Sequence, residues 1–176
     1  MKKPDDSKFP LKLLQWCSDF PLSHKGRPTW NEYFLLVAFI VSRRSSCLRT
    51  KVGAVIVKDK DIISTGYNGA PTPQKNCIEI GNCYRDEHGI ESGTQLERCR
   101  ASGSHAESNA IALAAKNGHS TQNAHLYLYG HTKICNVCKG IIANSRIKRV
   151  FHLTEKGEVK IFDIEKDWAI NSLDVE

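Results

Sequence analysis

The sequence lacks any apolar run long enough to cross a lipid bilayer. Its longest run, residues 33–41, is about half of the roughly 20 residues that a spanning helix needs. The basic residues near the N-terminus precede neither an apolar stretch of signal-peptide length nor a small-residue cleavage site. We therefore expect a cytoplasmic protein that does not insert into membranes.

The sequence also lacks internal repeats, because its 12 Gly and 6 Pro follow no period, and this excludes collagen-like and solenoid designs. Of the 176 residues, 40% are apolar and 25% charged, so we expect a compact domain spanning residues 1–176, with residues 1–28 as an N-terminal extension. Residues 1–60 carry 12 Lys and Arg against 5 Asp and Glu. This excess suits a phosphorylated ligand or nucleic acid, and a solvated basic face explains it equally well. The absence of an aromatic-rich basic groove argues against nucleic acid.

Apolar patterning predicts a layered α/β domain with a mixed sheet. A capping box from Thr29 to Glu32 predicts the start of a buried helix that ends near residues 43–44. A strand, a helix and a second strand in succession imply a parallel crossover. The further predicted elements are a hairpin (52–57 and 62–65), a helix (105–117), a strand (126–129), a helix (135–144), a strand (148–153) and a tail with a strand and short helix (159–173).

Residues 70–104 show poor periodicity over a length that is unusual for a connection inside a compact domain. We interpret this stretch as a loop insertion held by something other than a hydrophobic core. It contains Cys77, Cys83 and Cys99. In a chain without an export signal, cysteines indicate metal ligands or core residues rather than disulfides.

Two predicted helix starts carry residues suited to metal chemistry. His105 and Glu107 open one helix, and Cys135 and Cys138 open the other, with both sulfurs on one helical face. Helix N-termini lower thiol pKa values and so favour thiolates. A His-Cys-Cys set leaves one tetrahedral zinc position open to water, which is typical of catalytic zinc, and Glu107 is placed to move the proton.

These motifs resemble those of deoxycytidylate (dCMP) deaminases, whose signature joins His-x-Glu to a later Cys-x-x-Cys. The similar segments span residues 28–152 in order and include Gly66-Tyr67-Asn68-Gly69 and His105-Ala106-Glu107. The resemblance implies a three-layer α/β/α cytidine deaminase-like fold and the hydrolysis of dCMP to dUMP and ammonia. It also implies that His105, Cys135 and Cys138 hold zinc and that Glu107 is the proton shuttle.

The resemblance implies further contacts. Asn68 and Ala106 match positions that contact the nucleoside, and Arg44 with Ser45 falls where the family grips the 5′-phosphate. It also implies a homo-oligomer, a dimer or hexamer, with dCTP and dTTP as possible effectors. A second, structural zinc held by Cys47, Cys77, Cys83 and Cys99, with His88 as a substitute ligand, would stabilise the insertion.

One departure from the family and several alternatives bear on this interpretation. Ile134 replaces the family proline before Cys135, in a segment about two residues longer than usual that lines the base pocket. One alternative is a deaminase of another substrate that contains cytosine or adenine, such as modified dCMP, a nucleoside, or a base in RNA or DNA. Another is a zinc-binding module that has lost catalysis. Locally, residues 104–107 also fit a plain capping box, and the cysteine pair fits a redox site or half a zinc knuckle. The other histidines are expected at the surface or as satisfied core residues.

Overall fold

The computed structural model describes residues 27–131 and 133–168, which alternate between helices and strands. Residues 1–26 lie outside the described part, with Cys17, His24 and most of the predicted N-terminal extension (1–28), and so do residues 169–176. The elements are α1 (Trp30–Ser42), β1 (Gly53–Lys58), β2 (Asp61–Tyr67), α2 (Cys77–Ile80), α3 (Tyr84–Glu87), a 3-10 turn (Leu96–Arg98), α4 (Ala106–Lys116), β3 (His125–Tyr129), α5 (Asn136–Asn144), β4 (Arg149–Leu153), β5 (Val159–Asp163) and α6 (Ile164–Asp167).

The strands form one mixed sheet in the order β2-β1-β3-β4-β5. β3 and β4 are parallel, joined by α5 as the predicted crossover, and the other neighbouring pairs are antiparallel. Gly53 at the start of β1 pairs with Tyr129 at the end of β3, which in turn pairs with Leu153 at the end of β4. The chain therefore leaves β3 and β4, and enters β1, at the same end of the sheet.

Helices cover both faces of this sheet, which confirms the three-layer α/β/α arrangement. Neighbouring residues of β1 point to opposite faces, as the period of a strand requires. Val55 packs with Phe34 of α1 on one face. Ile56 packs with Ala110 of α4 and Ile142 of α5 on the other.

Local sequence explains where these helices begin and how closely they pack. The capping box predicted before α1 is present, with Thr29 and Glu32 bonding each other's backbone amides. α4 packs directly against the backbone of β2, because Gly66 in β2 has no side chain between the two elements. A Cβ atom at Gly66 would overlap the carbonyl oxygen of Ala106 and the amide nitrogen of Ala110. This contact fixes the start of α4, where His105 is the N-cap.

The insertion at residues 70–104 is held in large part by arginine side chains. Arg85 is 6% exposed and donates to the carbonyl oxygens of Glu91 at 2.5 Å and Thr94 at 2.6 Å. Arg49, outside the insertion, bonds Asp86 and the Ile90 carbonyl oxygen, each at 2.6 Å. Charge-assisted bonds to carbonyl groups thus supply order where apolar burial is scarce. Sequence patterning did not predict these bonds, because they lack any periodic signal.

The helices in the described ranges are all too short or too polar to span a bilayer. The predicted tail is confirmed as β5 and α6 as far as the described residues extend.

Candidate active site

Two helix N-termini bring the predicted metal ligands together. His105 is the N-cap residue of α4, Cys135 is the N-cap of α5, and Cys138 lies in the first turn of α5. Nδ1 of His105 lies 3.5 Å from Sγ of Cys135 and 3.4 Å from Sγ of Cys138. Within residues 27–131 and 133–168, these three form the one group of three or more His, Cys, Asp or Glu residues whose ligand atoms all lie within 4.8 Å of each other.

The three side chains fit a tetrahedral zinc ion. Zinc–sulfur and zinc–nitrogen bond lengths place neighbouring S and N ligands of a tetrahedral ion about 3.6 Å apart. The two N–S distances given above agree with that separation. A donor set of one imidazole and two thiols with one position left over matches catalytic rather than closed structural zinc sites.

The two thiols differ in their electrostatic surroundings. Contact with the Cys138 side chain, followed by the His105 ring and the Cys138 backbone amide, lowers the pKa of Cys135 to about 4. The same contact and burial raise the pKa of Cys138. Of the two thiols, Cys135 is therefore the one more readily deprotonated.

Glu107 lies in the first turn of α4, two residues after the predicted ligand His105. It is 6% exposed, and burial raises the pKa of its carboxyl group, opposed by its own backbone amide and by His105. A carboxyl group whose pKa is raised holds a proton at higher pH than usual, which suits a group that must both accept and donate.

The alternative of a plain capping box at residues 104–107 is wrong. His105, not Ser104, is the N-cap of α4, and its side chain makes no capping bond. The Ser104 amide donates to the Ala101 carbonyl oxygen, and the Ser104 hydroxyl donates to Asn109. Glu107 therefore has no capping role at the Ser104 amide.

Two of the predicted substrate contacts, Asn68 and Ser45, bond the backbone around the loop that enters β1. The Asn68 side chain accepts from the Val52 amide and donates to the Thr50 carbonyl oxygen, both at 2.9 Å. Ser45 is 1% exposed, and its hydroxyl group donates to the Asn68 carbonyl oxygen at 2.8 Å. The sequence analysis did not predict that these two side chains hold the loop before β1. Contact with a nucleotide stays a prediction for both.

The other two predicted contacts differ in exposure. Arg44 is exposed just after α1, on the basic N-terminal third, where an anionic group can reach it. Ala106, the first residue of α4, is fully buried, so its side chain offers little surface to a ligand. Their roles toward a substrate also stay predictions.

The four cysteines predicted to hold a second zinc do not form a ligand cluster by the same distance criterion. Cys77 interacts electrostatically with Cys83 and Cys47, and burial raises the pKa of its thiol while Arg100 opposes this. Cys99 accepts a bond from the Ala101 amide at 3.4 Å. His88, the substitute ligand, stacks on Tyr84 and contacts its carbonyl oxygen.

Two further histidines lie at the end of the sheet that holds the site. His152 on β4 is 1% exposed, and its Nε2 lies 2.6 Å from the Gly130 carbonyl oxygen, which confirms a satisfied core histidine. His131, four residues before Cys135, is exposed. The contact between His152 and Gly130 has no signal in the sequence, because the two residues belong to different elements.

This fold, together with one imidazole, two thiols and a buried carboxyl group at two helix starts, defines a zinc-binding deaminase domain. The family model of the cytidine and deoxycytidylate deaminase zinc-binding region matches residues 28–154. The chain therefore belongs to the cytidine and deoxycytidylate deaminase family.

Individual relatives agree with the family. The chain is 39% identical over 135 residues to the deoxycytidylate deaminase of Mycobacterium phage D29, covering 74% of this chain and 98% of the phage protein. It is 36% identical over 152 residues to the deoxycytidylate deaminase of Schizosaccharomyces pombe, covering 85% of this chain. There it spans 45% of the relative, less than half of its length.

Solved structures show the same fold. A cyanophage S-TIM5 dCMP deaminase in complex with dCMP and dUMP aligns with a TM-score of 0.57 and 29% identity, covering 73% of this chain and 83% of the phage chain. A cytidine deaminase from Burkholderia pseudomallei aligns with a TM-score of 0.50 at 15% identity, covering 75% of this chain and 91% of the other. The second similarity concerns the fold alone.

Proposed function

We propose that this chain catalyses the hydrolytic deamination of dCMP to dUMP and ammonia. The observation that carries the proposal is the convergence of His105, Cys135 and Cys138 beside the buried carboxyl group of Glu107. Further support comes from relatives named deoxycytidylate deaminase and from a structural neighbour that was crystallised with dCMP and dUMP.

His105, Cys135 and Cys138 would hold the zinc ion, which when bound would act as a Lewis acid and lower the pKa of a water molecule toward neutrality. Glu107 accepts a proton from the attacking water as its oxygen adds to C4 of the pyrimidine, and donates that proton to ring N3. Glu107 then passes the second water proton to the amino group. The C4–N bond breaks, a carbonyl group forms at C4, and ammonia leaves.

The test is a panel of dCMP, deoxycytidine, CMP, cytosine and adenosine in RNA, assayed for ammonia release. We expect turnover of dCMP with the highest kcat/KM, because Arg44 and the basic N-terminal third favour a phosphorylated substrate. Preference for another member of the panel would establish a deaminase of a different substrate. Zinc binding without turnover of any cytosine compound would establish a binding module.

We propose that the chain acts in the cytoplasm as a homo-oligomer, a dimer or hexamer, with dCTP and dTTP as effectors. The support for self-association is the exposed apolar side of α1, where Trp30 is 48%, Tyr33 42% and Ile40 40% exposed. Light scattering on the purified chain, with and without each nucleotide, tests this. A monomer at every concentration, with kinetics indifferent to both nucleotides, would contradict it.

We also propose that a second zinc ion stabilises the insertion, with Cys47, Cys77, Cys83 and Cys99 as ligands. The support is that all four cysteines are free thiols in or near the insertion. The test is the zinc content of wild type and of Cys77→Ser, with exposed Ile78→Ser as the matched control. One zinc per chain in all three proteins would remove the second site and leave the arginine bonds to hold the insertion.

A further inference from the structure

We propose that Asn109 is a positioning residue that fixes the orientation of the predicted metal ligand His105. This inference rests on the proposed function, because it assigns a role to a side chain beside the same metal site. Asn109 acts on the backbone around His105, so its role can be measured through metal binding alone, without substrate.

Asn109 binds the peptide groups on both sides of His105. Its side-chain Nδ2 donates to the carbonyl oxygen of Ser104 at 3.3 Å. Its backbone amide donates to the carbonyl oxygen of His105 itself at 3.0 Å. The first bond restrains the peptide group before His105, and the second restrains the one after it. Because φ and ψ describe the rotation of these two groups about Cα, Asn109 restrains both angles of His105, which are −78° and 164°.

The same side chain also reaches the end of β2. Nδ2 of Asn109 donates to the Tyr67 carbonyl oxygen at 2.8 Å, and Oδ1 accepts from the Ser104 hydroxyl group at 3.1 Å. Ser104 is 7% exposed, and its carbonyl oxygen accepts a further bond from the Gly69 amide at 3.3 Å. One amide side chain thus joins the end of β2, the loop before α4 and the first turns of α4.

The backbone at His105 decides where its ring lies relative to the two sulfurs. Nδ1 of His105 is 3.5 Å from Sγ of Cys135 and 3.4 Å from Sγ of Cys138, and both cysteines belong to the start of a different helix. A rotation about φ or ψ of His105 would therefore move Nδ1 while the sulfurs stayed in place. Metal sites tolerate errors of only about 0.2 Å in ligand distance, and groups that orient a ligand contribute to metal affinity.

The packing of α4 on β2 does not itself require Asn109. Gly66 already allows the two backbones to meet, since a Cβ atom there would overlap the Ala106 carbonyl oxygen and the Ala110 amide nitrogen. Asparagine is also a weaker helix former than the alanines that dominate α4. The side-chain bonds of Asn109 therefore add what close packing does not supply, a fixed direction for the peptide groups at His105.

The experiment compares Asn109→Ala and Asn109→Asp with the same changes at Asn117, the exposed C-cap residue of the same helix. Asn109→Ala removes every side-chain bond, and α4 should still form because alanine is a strong helix former. Asn109→Asp keeps the size and the acceptor for Ser104, but it replaces the donor with an oxygen that faces two carbonyl oxygens. Measurements are the zinc affinity in competition with a chelator, the visible absorption spectrum after Co²⁺ replaces zinc, and the melting temperature.

We expect Asn109→Ala and Asn109→Asp each to raise the Kd for zinc about 10–100-fold, the usual effect of losing a group that orients a metal ligand. The Co²⁺ absorption bands shift in both variants, because they report the arrangement of the ligands around the ion. Asn117→Ala and Asn117→Asp keep the wild-type spectrum and a Kd within about twofold of wild type, as surface substitutions do.

Wild-type zinc affinity in both Asn109 variants, or a wild-type Co²⁺ spectrum in both, would overturn the proposal. A lowered melting temperature with unchanged zinc affinity would show that Asn109 serves only the packing of α4 on β2. If Asn109→Asp does not fold, Asn109→Ala decides the matter by the same measurements. Absence of dCMP turnover by wild type would refute the proposed function instead, and this comparison would stay valid because neither metal measurement involves substrate.

Discussion

Nδ1 of His105 lies 3.4 Å from Sγ of Cys138, although 33 residues separate them in the chain. Each residue lies at the start of a different helix, and both helices pack on the same face of the sheet. Alanines 106, 110 and 114 of α4 are fully buried there, and small side chains allow close packing. The metal site is thus a consequence of how the helices rest on the strands.

The ligand set makes a prediction about metal content. Cys138→Ser removes a thiolate from the three-ligand set, so we expect zinc content to fall and the melting temperature to drop, because metal binding is coupled to folding. The exposed neighbour Val137 offers a matched control as Val137→Ser. Elemental analysis and thermal unfolding check the pair. Full zinc occupancy in Cys138→Ser would contradict the assignment of this ligand.

The role of Glu107 is tested separately from metal binding. Glu107→Gln preserves shape but cannot shuttle a proton, so we expect unchanged zinc content and a loss of kcat of about 10²–10⁴-fold or more. Exposed Glu97→Gln serves as the control. Ammonia release and elemental analysis are measured on the same preparations. Substantial turnover by Glu107→Gln would remove this residue from the proton path.

Asn68 is expected to contribute to stability through the loop that enters β1. Asn68→Ala leaves the Val52 amide and the Thr50 carbonyl oxygen without their side-chain partner. We expect the free energy of unfolding to fall by about 1–3 kcal/mol, measured by denaturant titration. Exposed Gln122→Ala should leave it unchanged. Unaltered stability with a raised KM would show instead that the Asn68 amide serves the nucleotide.

Burial of His152 predicts a pH dependence of stability. Desolvation lowers the pKa of its ring below the ordinary value, so the native state keeps it neutral while the unfolded chain takes up a proton below about pH 6.5. Since the unfolded state then binds more protons, the free energy of unfolding falls as pH falls below that value.

Denaturant titrations between pH 5 and pH 8 check this effect as the difference between wild type and His152→Gln. Wild type should lose more stability toward pH 5 than the variant does. Exposed His119→Gln should follow wild type. Parallel curves for wild type and His152→Gln would show that the ring titrates alike in both states.

Much of the fold could be predicted from local patterns. The helix that starts at the Thr29 capping box, the hairpin of β1 and β2 and the crossover from β3 to β4 all appear where alternation and helix signals put them. The short helices inside residues 70–104 were not predicted. They are held by Arg85 and Arg49, whose bonds to carbonyl groups leave no periodic trace.

The chemical groups of the candidate site could be predicted from the sequence, but the hydrogen bonds that hold the neighbouring loops could not. His105, Glu107, Cys135 and Cys138 were recognisable because ligand types at helix starts follow short spacings. The hydrogen bonds of Asn68 and Ser45 to the backbone before β1 could not be predicted, because each joins residues that are far apart in the sequence.

By itself, the amino-acid sequence determined which side chains are candidate metal ligands, since the residues of His-x-Glu and of Cys-x-x-Cys each lie within one helical turn. Only the tertiary structure decided that the two motifs meet, that Glu107 is buried beside them, and that His152 restrains Gly130. The reason is physical: spacing within a turn is set by backbone geometry, whereas distances between elements are set by packing on a shared sheet.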